Sequence, residues 1–130
     1  EKVFVQMSET AEQLKQRGNE LFVSKDFAAA DELYSQALQL TNDPEVRKVI
    51  LTNRSATKLA LNKLEDAVND ADESLKIDPS QIKAYYRKAA AQEAWNKLGD
   101  AYYTWLAAAK FCDPNHETIS KQLRKTKTAQ

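Results

Sequence analysis

A single cysteine, Cys112, and a single histidine, His116, stand four residues apart, so any His-activated nucleophile in this chain would have to come from that one pair. No third group stands ready to orient the imidazole, and two glycines are too few for a phosphate-cradling loop. A structural zinc site wants four Cys or His ligands, which the chain cannot supply. Nineteen Asp and Glu are available, but they are scattered over polar stretches where solvated charge is the simpler account. The inventory therefore predicts no enzyme active site, no metal and no cofactor. His116 reads as a surface residue near a helix start, and Cys112 as a small buried hydrophobe.

Composition narrows the remaining classes. At 130 residues the chain suits one domain with a continuous core. Nineteen Lys and Arg balance the nineteen acids, for a net charge of +0, so the surplus of positive charge that nucleic acids and anionic membranes require is missing. One cysteine leaves no internal disulfide, which fits a reducing compartment. No apolar run approaches the roughly 20 residues that span a bilayer. Nineteen alanines, two glycines and three prolines favour helix over turn. The expectation is a soluble, intracellular, all-α protein, cytoplasmic and compatible with the nucleus.

The apolar spacing from Thr10 onward is helical, and it repeats. Gly18, Ser55 and Ala89 are separated by 37 and then 34 residues, as are Ala30, Ala67 and Ala101, and Ala37, Ser74 and Ala108. Leu14, Leu51 and Tyr85 keep the same register, as do Tyr34, Ala71 and Trp105. A period near 34 with small residues where two helices cross is the tetratricopeptide pattern. The longer first interval fits an extended loop around Thr41 to Lys48.

Each copy divides into two helices. Thr10 and Gln13 form a capping box for the first, which runs towards Ser24, and Asp26 caps its partner, about Phe27 to Leu40. Asp43-Pro44 suits an N-cap followed by proline in the first turn of a helix reaching Leu61. Its partner spans Leu64 to Lys76 and stops before Asp78-Pro79. The third pair runs from Ser80 to Asn96 and from Leu98 to Cys112, closed by Asp113-Pro114. Trp95, Tyr102, Tyr103 and Trp105 read as packing residues of this pair. A last helix, Asn115 to Thr126, sets Ile119 and Leu123 on one face with Lys121, Arg124, Lys125 and Lys127 elsewhere, as expected of a helix covering the end of a repeat array. Residues 1–6 stand outside the pattern and read as an appendage ahead of a start at Met7, or as a floppy extension. Residues 7–130 then form one domain, with repeats at about 10–42, 43–79 and 80–114 and the closing helix at about 115–126.

Three segments carry a more specific likeness: Leu14-Lys15-Gln16-Arg17-Gly18-Asn19, Thr52-Asn53-Arg54-Ser55 and Lys83-Ala84-Tyr85-Tyr86-Arg87-Lys88. With them, the chain resembles the carboxylate-clamp tetratricopeptide domains of co-chaperones, such as those in the Hsp organising protein, protein phosphatase 5 and the UNC myosin chaperones. The resemblance covers about Thr10 to Lys125. It implies a right-handed superhelix of three repeats plus a capping helix, a monomeric domain, and a non-catalytic role in docking the C-terminal Glu-Glu-Val-Asp tails of the 90-kDa and 70-kDa heat-shock proteins. By that similarity the clamp is Lys15, Asn19, Asn53, Lys83 and Arg87.

Spacing supports that assignment. Lys15 and Asn19, and likewise Lys83 and Arg87, are four apart and share a helical face, while Asn53 and Arg87 hold equivalent places 34 residues apart. The first helices of successive repeats line the concave side of a solenoid, so three cations and two amides converge with no acid among them. Such a cluster calls for an anion. Lys and Arg would donate charge-assisted hydrogen bonds to a peptide's terminal carboxylates, and each Asn could donate to the ligand and accept from it. Phe22 and Ala56, one turn beyond the two asparagines, are candidates for an apolar socket under the penultimate Val. The competing readings are a generic protein-interaction scaffold and the chaperone-docking domain of a larger enzyme such as a serine/threonine phosphatase.

Overall fold

The computed structural model describes residues 9–129, so the readings of residues 1–6 and of Met7 lie outside the described residues. Seven helices follow one another among them: α1 (Ala11–Val23), α2 (Phe27–Leu40), α3 (Pro44–Ala60), α4 (Leu64–Ile77), α5 (Ile82–Ala94), α6 (Leu98–Phe111) and α7 (Glu117–Ala129). The caps expected for the first three are present. Thr10 and Gln13 exchange side-chain and backbone bonds at α1, the Asp26 carboxylate accepts from the Ala29 N–H, and Asp43 accepts from the Glu45 N–H ahead of Pro44.

The turn inside each pair is the same structure three times. Lys25, Asn62 and Asn96 take left-handed backbone angles, φ 67°, 59° and 57°. In each case the next residue's N–H returns to the carbonyl five residues back (Asp26 to Leu21, Lys63 to Lys58, Lys97 to Gln92), and the left-handed residue bonds three back. This double closure satisfies carbonyls that the helix end would otherwise orphan. It reverses the chain in three residues and lays each pair antiparallel.

The register residues form the interior. Leu14, Ala30, Tyr34, Ala37, Ala67, Ala71, Ala89, Ala101, Trp105 and Ala108 are all buried, and so are Leu51, Ser55, Ser74 and Tyr85. The first helices α1, α3 and α5 touch in sequence, whereas the second helices do not touch one another, so the first helices make the inner layer. An apolar cluster around Leu33, Tyr34 and Ile50 fills the first repeat, and another around Tyr85, Trp105 and Ile119 fills the third. Between them the centre mixes Leu51, Ala56, Ala67 and Ala71 with buried polar groups. Thr52 and Ser74 hydroxyls pair at 2.8 Å, Ser55 donates to the Ala67 carbonyl, and the Arg54 guanidinium grips both Asp70 oxygens at 2.8 Å. The closing helix α7 buries Ile119 completely and packs Leu123 against the third-repeat cluster.

Three boundaries and two aromatics depart from expectation. Helix α5 begins at Ile82 rather than Ser80, because the Asp78 carboxylate holds the Ser80 N–H and hydroxyl at 3.0 and 2.6 Å. Helix α7 begins at Glu117 rather than Asn115. Residues Asp113 to His116 form a turn, and the His116 Nδ1 caps the helix by accepting from the Thr118 N–H, a specific duty for a residue read as mere surface. The same helix continues past Thr126, which is buried with its hydroxyl on the Gln122 carbonyl. Trp105 is core, but Tyr103 is 67% exposed, and Trp95 lies at the surface beneath the Lys97 ammonium, 3.7 Å from the ring centre.

The first intra-repeat turn puts a lysine where the other two have asparagine. A left-handed backbone strains residues with a Cβ, asparagine less than lysine, and leaves glycine unstrained. Lys25→Gly should therefore stabilise the domain by about 0.5–1 kcal/mol and raise the melting temperature by a few degrees, as read by calorimetry. A second test concerns acid. Hydrogen bonds from Ser80, then from the Lys48 ammonium, hold the Asp78 carboxyl at about 2 against an ordinary 3.8. A depressed carboxyl stabilises the fold above its ordinary value, and that contribution is lost as pH falls towards the folded one. Asp78→Asn should lower urea midpoints at neutral pH, with the gap to the parent closing between pH 3.8 and about 2.

Candidate functional site

The inner layer presents one open cleft of about 200 Å³ lined by Asn19, Phe22 and Val23 of α1, Tyr34 of α2, Asn53 and Ala56 of α3, and Lys83 and Arg87 of α5. Four of the five clamp candidates, and both socket candidates, thus share a single wall. Their convergence follows from the small residues at the helix crossings, which let α1, α3 and α5 come close enough for side chains one repeat apart to meet. The Asn53 Nδ2 donates to the Asn19 Oδ1 at 3.0 Å across that seam.

The fifth candidate stands apart. Lys15 is one turn before Asn19 on α1 but does not line the cleft; its ammonium rests on Glu12 at 3.1 Å. The contact is an i,i+3 pair with Glu12 exposed and Lys15 partly buried, worth a few tenths of a kcal/mol, and a low barrier to the side chain swinging over.

Two of the three cations of α5, Lys83 and Arg87, differ from the acid-paired cations of the inner layer. Lys48 meets Asp78, Arg54 meets Asp70, Lys58 meets Asp31 and Lys88 meets Asp72, each at 2.8–2.9 Å. Among the described residues no carboxylate pairs with Lys83 or Arg87. Burial pushes the Arg87 guanidinium below its ordinary pKa, and its buried Nε–H has no acceptor. The Tyr86 ring lies 5.9 Å away. A desolvated cation with an unused donor is unfavourable alone and is relieved by an anion.

Two lining residues were absent from the sequence reading as site residues. Val23 is 80% exposed and adds an apolar rim beside Phe22, whose ring is held edge-on against Phe27 at 5.2 Å. Tyr34 stands in the repeat register and is buried, yet its hydroxyl reaches the cleft and donates to the Asn19 Oδ1 at 2.5 Å. A phenol at a core position needs a hydrogen-bond partner, and that was the available signal. The bond also amends the expected role of Asn19. Its carbonyl oxygen receives both Tyr34 and Asn53, so both lone pairs are taken and only its N–H groups remain for a ligand. Asn53 keeps one N–H and its own carbonyl. The cleft is therefore rich in donors, apolar on one side, and holds no Cys, His, Asp or Glu.

No family model matches the chain. Heat shock protein STI1 of Saccharomyces cerevisiae is 42% identical over 95 residues, 73% of this chain and 16% of that protein. The human protein unc-45 homolog B is 35% identical over 119 residues, 92% of this chain and 13% of that protein. The chain thus matches a small segment of these curated relatives. Among solved structures, the first tetratricopeptide domain of Spaghetti (RPAP3), bound to the Hsp90 peptide SRMEEVD, superposes with a TM-score of 0.78 at 30% identity, covering 94% of this chain and 96% of that one. The Hsp90 co-chaperone Cns1 of Saccharomyces cerevisiae gives a TM-score of 0.84 at 32% identity, covering 92% of this chain and 38% of that one.

The cleft depends on Gly18. A Cβ there would lie 2.7 Å from the Tyr34 Cε1 and 3.0 Å from its Cδ1, so any larger residue displaces the ring that holds Asn19. Alanine gains about 0.5–1 kcal/mol of helix preference over glycine, against about 1–3 kcal/mol for overpacking. Gly18→Ala should be net destabilising by about 1 kcal/mol in urea titrations, despite being the better helix former.

Proposed function

The chain belongs to the tetratricopeptide-repeat domains of heat-shock co-chaperones, and we propose that it is a peptide-docking module for the C-terminal tails of the 90-kDa and 70-kDa heat-shock proteins. One observation carries this reading: Lys83 and Arg87 share a cleft with two amides and no acid, and Arg87 is desolvated with an unmatched donor. An extended tail would set its terminal main-chain carboxylate, and the carboxylate of a terminal Asp beside it, against Lys83, Arg87 and the Asn19 and Asn53 amides. Lys15 would swing from Glu12 to complete the clamp. The penultimate Val would rest on Phe22, Val23 and Ala56. Support comes from solved relatives that hold such peptides, Spaghetti (RPAP3) with an Hsp90 peptide and UNC-45 of C. elegans with an Hsp70 peptide.

Recognition of this kind is non-catalytic, and a cleft without nucleophile or general base suits it. The module is the docking part of a longer, cytoplasmic protein and acts as a monomer with no cofactor. Among the described residues no helix is long and apolar enough to cross a membrane. A short flexible peptide must be ordered on binding, so the expected dissociation constant is micromolar, about −8 kcal/mol.

The test is titration calorimetry with a Met-Glu-Glu-Val-Asp peptide. Lys83→Ala and Arg87→Ala should each lose about 1.5–3 kcal/mol, roughly ten- to a hundredfold, with the helical signal unchanged. Lys121→Ala, on the exposed face of α7, should bind as the parent does. Equal weakening by Lys83→Ala and Lys121→Ala, or equal affinity for a C-terminally amidated peptide, would mean diffuse attraction and no clamp.

A further inference from the structure

The bond from Tyr34 to Asn19 does more than fill a core position. An asparagine amide can turn over, offering either its oxygen or its nitrogen at one place, and it follows whichever neighbours it has. Here two donors, the Tyr34 hydroxyl and the Asn53 amide, meet at the Asn19 oxygen. Turning Asn19 over would oblige Asn53 to turn as well, and although the phenol oxygen could then accept, the phenol hydrogen would lose its acceptor at a buried position. Its N–H face is therefore the one left towards the cleft.

Resting on the docking role proposed above, we infer that Tyr34 is the residue that fixes the polarity of the clamp, making Asn19 a donor only, so that the site accepts a carboxylate and rejects its carboxamide. A free carboxylate is acceptor on both oxygens and matches an all-donor wall. A carboxamide presents an N–H₂ where the wall offers another N–H, and a locked Asn19 cannot turn its oxygen to meet it. Burial keeps the phenol protonated, with its pKa pushed up to about 12, so it stays a donor at any pH at which the fold operates. Gly18 leaves the room the ring needs. The chain of cause runs from a missing Cβ, through one hydroxyl, to the chemistry of the ligand's last atom.

Such a role makes Tyr34 a positioning residue, and its mark is selectivity rather than affinity. The measurement is the ratio of dissociation constants for amidated and free-acid Met-Glu-Glu-Val-Asp peptides, on the parent domain and on Tyr34→Phe. The parent should prefer the free acid at least tenfold. Phenylalanine keeps the ring and removes only the hydroxyl, and the ratio should then fall by about three- to tenfold, the worth of one hydrogen bond. A ratio unchanged in a variant that still binds and melts cooperatively would overturn the inference, as would an equal loss for both peptides, which is what a purely structural role gives. A parent that showed no preference for the free acid would instead sink the docking proposal itself. If Tyr34→Phe does not fold, the parent supplies the answer by nitrogen-15 NMR. The Asn19 side-chain N–H₂ signals, assigned with Asn19→Ala, should shift on adding the free-acid peptide. Their standing still while the peptide saturates the domain would rule the inference out.

Discussion

Everything in this domain depends on how closely two antiparallel helices can approach within a repeat. That distance is set by a few residues with little or no side chain. At Gly18 the first helix comes so near the second that the Tyr34 ring lies where a methyl group would be. At Ser55 the approach is close enough for the hydroxyl to reach the Ala67 carbonyl at 2.7 Å, and in the third repeat Ala89 and Ala101 are both sealed from water. Because the pairs are thin, successive first helices also touch, and side chains from three helices converge on one cleft. Wider pairs would still be helical and still form a solenoid, but Asn19 and Asn53 would no longer meet.

The interior is apolar at both ends and mixes small apolar with polar groups in the middle. Leu, Tyr, Trp and Ile fill the first and third repeats, while the second is held by Thr52, Ser55, Ser74 and the Arg54–Asp70 pair. Burial alone would lower the Arg54 pKa, and the bonds to Asp70 more than offset it. Two cations of the inner helices cross repeat boundaries to acids of the outer ones, Lys58 to Asp31 and Lys88 to Asp72, while Lys48 ties α3 to Asp78 at the end of its own repeat. Isolated exposed pairs add little, but these partly buried ones fix how one repeat sits on the next. Arg47 is instead satisfied by the Leu38 and Thr41 carbonyls, and Lys83 and Arg87 stand out against this background.

Periodicity made the architecture legible, because each small or apolar register residue had to face the same crossing in every copy. Caps were legible where the capping side chain stands directly before the helix, as at Thr10, Asp26 and Asp43. Boundaries shifted where a carboxylate used its bonds in a turn instead, as Asp78 and Asp113 do, since sequence does not say which N–H an Asp will choose. Tyr103 and Trp95 were misjudged for a related reason: aromatic type predicts burial on average, but helix rotation decides it. In the cleft, the residue types and spacing of Lys83, Arg87, Asn19 and Asn53 were readable. The hydrogen-bond polarity of Asn19 was not, because it depends on a tyrosine from another helix.

The pairing of most inner cations has a consequence for how a ligand arrives. Long-range attraction of a charged partner requires a net field extending beyond the surface, and a chain of net charge +0 with its interior cations locally neutralised casts little of one. Collisions are then not guided, and association should proceed at the ordinary orientation-limited pace, about 10⁵–10⁷ M⁻¹s⁻¹. Discrimination falls to what happens after contact, in how long a captured chain end remains. On the proposed docking role, a surface arranged this way would dwell in a crowd of acidic macromolecules without collecting them, and would hold those whose final carboxylate reaches Lys83 and Arg87.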